Sequence, residues 1–314
     1  MKRLKKKQAN RVYSSSDVIA RSETTKRSLF LRLLRFARND INRVLFLVFV
    51  FFLPTQLGKH FFPSFSYLNG VRVDYLAPTV YFTDILVFFL FLFNLKTVIN
   101  FFKNKKLLLV LGLLMVNVVL AKNQGVALYQ LIKIVEFLIV FSLGQQLFKI
   151  IKEKAALAVL FLTGIFQLSL AMLQLLLRHS VQGVFYFFGE RLLTLTTPGV
   201  AKATVEGVEF LRPYATFSHP NSMAGFFLLL YFFVLTYKNF NRYMVLKYLV
   251  LFIFACLVFV SFSKVAILTF LILNTFYAFV SFPRKRAIVP LGESRFSIKS
   301  RMTLKCQFII TNRQ

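Results

Sequence analysis

Tryptophan is absent, and cysteine, histidine and acidic residues are scarce: two Cys, three His and 11 Asp plus Glu among 314 residues. Cys256 lies inside an apolar run and Cys306 near the end, which excludes a disulfide framework. Charged residues make up only 16% of the chain, too few for the polar shell of a soluble domain this long. An ordinary soluble enzyme is therefore excluded. A disordered chain is excluded as well, because 57% of the residues are hydrophobic. What fills the sequence is phenylalanine, 41 residues of it, set in long apolar runs. The mean hydropathy is +0.67. This is the composition of a polytopic membrane protein.

The scarcity of acid leaves a net charge of +29. Thirteen of the 40 Lys and Arg lie in residues 1–43 and eight in residues 283–314. Most others sit in short connections between apolar runs. Basic residues distribute this way in an inner-membrane protein, whose cytoplasmic loops are positive. Nucleic-acid binding calls instead for charge on one folded surface, interleaved with polar and aromatic contacts. No nucleic-acid partner is expected.

The chain reads as three parts. Residues 1–43 form a basic cytoplasmic extension without the apolar core or cleavage site of a secretory signal. Residues 44–282 form the transmembrane domain. Residues 283–314 form a basic cytoplasmic tail. Eight apolar segments lie near 44–58, 79–95, 107–121, 126–148, 155–177, 222–237, 245–262 and 265–282. A span needs about 20 residues, and the first, third and sixth segments are short. The expected fold is all-α, with about eight transmembrane helices and a cytoplasmic N-terminus.

Loop charge supports that orientation. Alternate connections carry Lys96, Lys103, Lys105 and Lys106; then Lys149, Lys152 and Lys154; then Lys238, Arg242 and Lys247; then Arg284, Lys285 and Arg286. The opposite connections are poorer in charge for their length, so they face outward. Two of these outer loops are long, about 58–78 and 178–221. A loop of that length among short connections is usually functional. No internal repeat of helix pairs is visible, which weakens a reading as a secondary transporter.

Some polar residues lie within the spans. Lys133 and Glu136, three apart on one helical face, read as an internal ion pair that stabilises the bundle. Asp84 is expected to pair with a basic neighbour such as Arg72. Gln167 and Gln174, seven apart on one face, are expected to bond another helix.

The most informative stretch is Leu211 to Gly225, LRPYATFSHPNSMAG, where the second long loop enters the sixth span. Arg212 is a permanent cation whose planar fork suits phosphate or carboxylate. Pro213 and Pro220 stiffen the backbone, and Asn221 or Ser222 is placed to cap the helix. A helix N-terminus adds free N–H groups and a positive dipole end. Two readings follow from the physics alone: an anchor for a lipid-linked phosphate, or a capped re-entry turn with a snorkelling arginine.

Arg212, Thr216, Phe217, His219, Pro220, Asn221 and Ala224 resemble the signature of the O-antigen ligase and O-antigen polymerase family. The family usually has glycine before the Thr-Phe pair, where this chain has Ala215. A second family feature is a Ser-Arg pair at a short outer turn two spans later; here VSFSKVAIL places Ser263 and Lys264 there. The first outer loop, with DYLAPTVYFTDIL, also looks like that of some members. The resemblance covers roughly residues 44–282.

It implies a glycosyltransferase of the inner membrane with a periplasmic active face. Members move a glycan from undecaprenyl diphosphate to lipid A-core, to another carrier-linked glycan, or to other acceptors, in cell-surface polysaccharide biosynthesis. Outer-face arginines bind the diphosphate, a periplasmic histidine acts as base, and no metal or other cofactor is required. The resemblance assigns Arg212 and Lys264 to the leaving diphosphate and sets His219 and Asn221 close to the substrate. Lysine at 264 keeps the charge but loses the bidentate fork. The family's catalytic histidine comes from a later loop, beyond where this chain ends. His60 and His179 read as interfacial or solvated. A C-terminally truncated family member is the simplest expectation. The alternatives are a polymerase, a transporter or flippase for a lipid-linked glycan, and an inactive membrane remnant.

Overall fold

The computed structural model describes residues 38–73, 76–205 and 207–281. The basic extension up to residue 37 and the tail from residue 282, with Arg284, Lys285 and Arg286, lie outside the described residues. The chain divides into a body ending at Ile267 and a second unit from Leu268, whose described part is the rest of the last helix.

Helices dominate. The described part of α1 runs over residues 38–52. It is followed by α2 (Phe82–Phe93), α3 (Leu95–Phe102), α4 (Lys105–Leu120), α5 (Gln124–Ile150), α6 (Glu153–Leu177), α7 (Pro220–Thr236), α8 (Met244–Val260) and α9 (Lys264–Ser281). Each expected apolar segment coincides with a helix. Four stretches are long and apolar enough to cross a membrane: α5, α6, residues 238–260 and α9. A fifth is α2 with α3, if that bent pair is one span. Helix α7 is apolar but shorter.

The break between α2 and α3 bends the chain by 91°. Asn94 supplies the cause. Its amide donates to the Leu90 carbonyl at 2.9 Å, taking an acceptor that the helix ladder uses. Asn94 and Asn42 also exchange amide hydrogen bonds, at 2.9 and 3.3 Å. This polar pair ties the break to the first described turns of α1.

The same contacts order the ends of the body. Near Asn42, Arg43 Nε donates to the Ile150 carbonyl at the close of α5, at 2.8 Å. Phe148 packs its ring edge against Tyr237, just after α7, at 5.5 Å. Three of the basic connections therefore gather at one end. At the other end Thr216 donates to the Pro54 carbonyl at 2.8 Å, and Tyr129 near the start of α5 donates to the Thr79 carbonyl at 3.0 Å. Both long loops lie there. Lys247 departs from expectation: it is buried in the first turn of α8, and its ammonium donates to Leu235 O at 2.8 Å and Asn241 Oδ1 at 2.7 Å. It stitches α7 to α8 instead of lying in a solvated connection.

Helix α8 packs between α6 and α7. Its Phe254 and Leu257 are fully buried, with the ring of Phe227 of α7 packed at a tilt against Phe254, centroids 5.2 Å apart. Gly164 lets α6 approach: a Cβ there would lie 2.8 Å from Ile253 and 2.9 Å from the Phe254 ring. Small residues serve close helix packing in this way where lipid supplies no hydrophobic drive.

Short strands shape the loops. In the first loop β1 (Gly58–His60) pairs antiparallel with β4 (Thr79–Tyr81), and β2 (Tyr67–Leu68) with β3 (Val71–Arg72). In the second, β5 (Lys202–Val205) and β6 (Val208–Leu211) form a hairpin that delivers Arg212. Between them Gly189, at φ +88°, sits where any Cβ would strike the backbone of Gln56 and Leu57. That contact locks the second loop onto the first.

Candidate functional site

The signature stretch is held by two amides of α6. Gln174 accepts from the backbone N–H of Tyr214 at 2.9 Å and of Ala215 at 2.8 Å. It donates to the Ala215 carbonyl at 3.1 Å and to Glu190 at 2.7 Å. Gln167 donates to Thr216 Oγ1 at 2.8 Å and accepts from the Thr216 N–H at 3.3 Å. Both amides are buried. They bond the loop, not another helix as expected. Buried Glu190 also accepts from the N–H groups of Val181 and Gln182, at 2.7 and 2.6 Å, so its carboxylate closes the second loop on itself.

Ala215 stands at φ +49°, in the left-handed region that favours glycine. The resemblance expects glycine at that position, and the backbone here supplies the reason. The Gln174 clamp holds the alanine in a conformation that costs ~1–2 kcal/mol for a residue with a Cβ.

Helix α7 begins at Pro220, with proline at its first turn. Its cap is the His219 ring, whose Nδ1 accepts from the Asn221 N–H at 3.1 Å. Neither Asn221 nor Ser222 has that role. Asn221 instead presents its side-chain oxygen to Arg212 Nη2 at 2.8 Å. Arg212 Nε donates to the Ser261 carbonyl, at the close of α8, at 3.0 Å. The guanidinium is thus fixed from two sides, only partly exposed, and set between the start of α7 and the α8–α9 turn. Phe262 in that turn has φ +51° and packs edge-on against Phe210, at 5.2 Å. Left-handed backbone at a bulky residue is uncommon and is held by its surroundings.

Three of the four expected site residues, Arg212, His219 and Asn221, are therefore bonded to one another or adjacent at one corner. The fourth, Lys264, is the exposed first residue of α9, in the same turn that Arg212 grips through Ser261. The corner is strongly electropositive: a guanidinium, an ammonium and a helix N-terminus. Burial, and then the Arg212 charge, hold the His219 imidazole below its ordinary range. Burial also lowers the Arg212 guanidinium, which stays charged at neutral pH.

A second feature escapes sequence reasoning. Lys133 pairs with Glu136 at 3.0 Å, as expected, and also with Asp84. Asp84 further accepts from the Tyr81 N–H at 2.9 Å. The expected pairing of Asp84 with Arg72 is replaced by this one, and the Arg72 guanidinium lies over the Phe62 ring at 4.5 Å. The triad faces a cavity of about 650 Å³ between α1, α2 and α5. Outer-loop residues His60, Arg191 and Ser218 also line it. Of the four expected site residues none lines this cavity, although Ser218 precedes His219 directly. His60, exposed at the rim, shares a 2.7 Å hydrogen bond with Thr79; His179 is exposed and bonded to the Ser180 carbonyl. No cluster of potential metal ligands occurs among the described residues.

Several helices are able to cross a membrane, and the chain has the character of a membrane protein. Comparison with protein-family models, curated proteins and solved structures finds no match.

Proposed function

We propose that this chain is an O-antigen ligase-like glycosyltransferase of the inner membrane, with about eight spans and its basic connections cytoplasmic. It takes a glycan from undecaprenyl diphosphate at the periplasmic face and passes it to a lipid A-core or similar acceptor. The carrying observation is the grip of Arg212 on Asn221 and Ser261. It joins the two stretches of the resemblance at one electropositive corner.

The chemistry suits that corner. Leaving of a diphosphate develops negative charge, and pre-placed cations stabilise it without reorganising. Arg212 is held so that little side-chain freedom remains to be lost on binding. Lys264 supplies the second cation and the N-terminus of α7 adds N–H donors. His219, whose protonation burial and the Arg212 charge disfavour, adds no competing charge.

The test is transfer of a radiolabelled glycan from undecaprenyl diphosphate to acceptor by the protein in liposomes. Transfer that Arg212→Ala abolishes supports the reading; no transfer by the wild type to either a lipid A-core or a carrier-linked acceptor refutes it. Transport of a lipid-linked glycan is a second reading, favoured by the charged triad in the cavity. It predicts carrier movement across the bilayer without a new glycosidic bond.

A further inference from the structure

The cavity on the Asp84–Lys133–Glu136 triad has no part in the anion corner, and its chemistry differs. We infer that it is a binding site for a neutral, polyhydroxylated ring, the chemical class of a hexose or N-acetylhexosamine. The inference stands on the cavity alone and holds under either transfer or transport.

Size comes first. About 650 Å³ lies within the ~300–1,000 Å³ typical of small-ligand sites. Charge comes second. The lining holds two carboxylates, Asp84 and Glu136, and two cations, Lys133 and Arg191. A balanced set of this kind repels neither sign of charge and selects neither. It rewards a neutral ligand that both donates and accepts hydrogen bonds.

Donors and acceptors come third. Lys133 already bridges one oxygen of each carboxylate, Asp84 Oδ2 and Glu136 Oε2. Each carboxylate has a second oxygen able to accept from a hydroxyl. The three side chains keep 20–24% of their surface, so the triad faces the cavity and is not sealed into packing. Gln130, Thr83 and Ser218 add neutral partners on other sides. A ring with hydroxyls around its rim meets these groups in several directions.

The apolar part of the lining comes fourth. Phe49, Phe137 and Tyr129 also line the cavity, and Tyr81 and Tyr129 both lie near the Lys133 ammonium, at 5.2 and 5.8 Å. Aromatic faces receive the C–H side of a sugar ring while its hydroxyls reach the charged groups. The ion pair that the sequence presents as a packing device thus lines a cavity floor, where charge in a span is more often functional.

The experiment is saturation-transfer-difference NMR on the full chain in lipid nanodiscs. The probes are the methyl glycosides of glucose, galactose and N-acetylglucosamine; inorganic diphosphate, which has no carbon-bound protons, is followed separately by phosphorus-31 line broadening. At least one glycoside is expected to receive saturation from aromatic protons. Glu136→Gln should weaken it about tenfold, the effect of losing a charged hydrogen-bond acceptor. Leu53→Trp adds an indole at a lining position outside the triad, and should weaken the signal at least about tenfold even if Glu136→Gln proves too unstable to measure. Lys202→Ala, on the exposed face of the β5–β6 hairpin, should leave glycoside binding within about twofold, while Arg212→Ala should weaken diphosphate binding. Absence of any glycoside signal in the wild type overturns the inference. Binding that survives Leu53→Trp unchanged also overturns it. Absence of diphosphate binding in the wild type, or diphosphate binding unchanged in Arg212→Ala, would count against the anion corner and leave the cavity assignment standing.

Discussion

Arg212 and Ser261, 49 residues apart, are joined by a 3.0 Å hydrogen bond from guanidinium to main-chain carbonyl. The bond sets a cation at the C-terminal end of α8, where the helix dipole favours it. The second arm of the same guanidinium reaches Asn221 in the first turn of α7. One side chain thus fastens two helix ends and keeps its charge at the surface between them.

Arg212→Ala is expected to cut glycan transfer by ~10²–10³, the effect of removing one pre-placed donor to a developing anion. Arg212→Lys should recover only part of this, because an ammonium cannot serve Ser261 and Asn221 together in the fork geometry. Initial rates at saturating carrier separate the variants. Equal rates for wild type and alanine variant would remove Arg212 from the reaction.

Gln174→Leu should be among the most destabilising substitutions in the body. It strands the N–H groups of Tyr214 and Ala215 and removes a donor from buried Glu190, at ~1–3 kcal/mol for each group left unpaired. Thermal unfolding in detergent measures this. Gln174→Glu is expected to fare little better, because it brings a second carboxylate against Glu190.

Ala215→Gly should stabilise the protein. Relief of the left-handed strain, ~1–2 kcal/mol, outweighs the ~0.4–1 kcal/mol that glycine adds to unfolded-chain entropy. The expected gain is about 0.5–1 kcal/mol, with a rise in melting temperature of about 2 °C. A fall would mean that the alanine methyl has a packing role that outweighs its strain.

His219 gives a pH dependence of defined sign. The unfolded chain takes up a proton near the ordinary histidine value of ~6.5, whereas the folded ring stays neutral to lower pH. The unfolded state therefore binds more protons as pH falls, and stability drops below about pH 6.5. His219→Asn retains a capping side chain and should flatten this part of the profile. Melting temperatures from pH 8 to pH 5 report it; an unchanged slope would assign the effect elsewhere.

Much of the helical frame was legible in the sequence, because long apolar runs with basic punctuation leave few alternatives. All eight runs became helices. The break at Asn94 was not legible: it depends on Asn42, which lies 52 residues away. Lys133 and Glu136 were readable as a pair because they sit one helical turn apart. Asp84, 49 residues from Lys133, joins them only once α2 and α5 are side by side. The roles of Gln167 and Gln174 were misread for a similar reason. Their shared face was visible, but the loop that fills it carries no periodic signal. Glycine expected where Ala215 stands was the one sequence cue to the backbone of that loop.

A lipid-diphosphate site at the Arg212 corner is open to direct test. The most direct measurement is native mass spectrometry of the purified chain with undecaprenyl diphosphate, with undecaprenol as the uncharged control. Saturable binding of the diphosphate over the alcohol, lost in Arg212→Ala with the fold intact, is the expected result. Equal retention of both lipids, or diphosphate binding unchanged in Arg212→Ala, would contradict it.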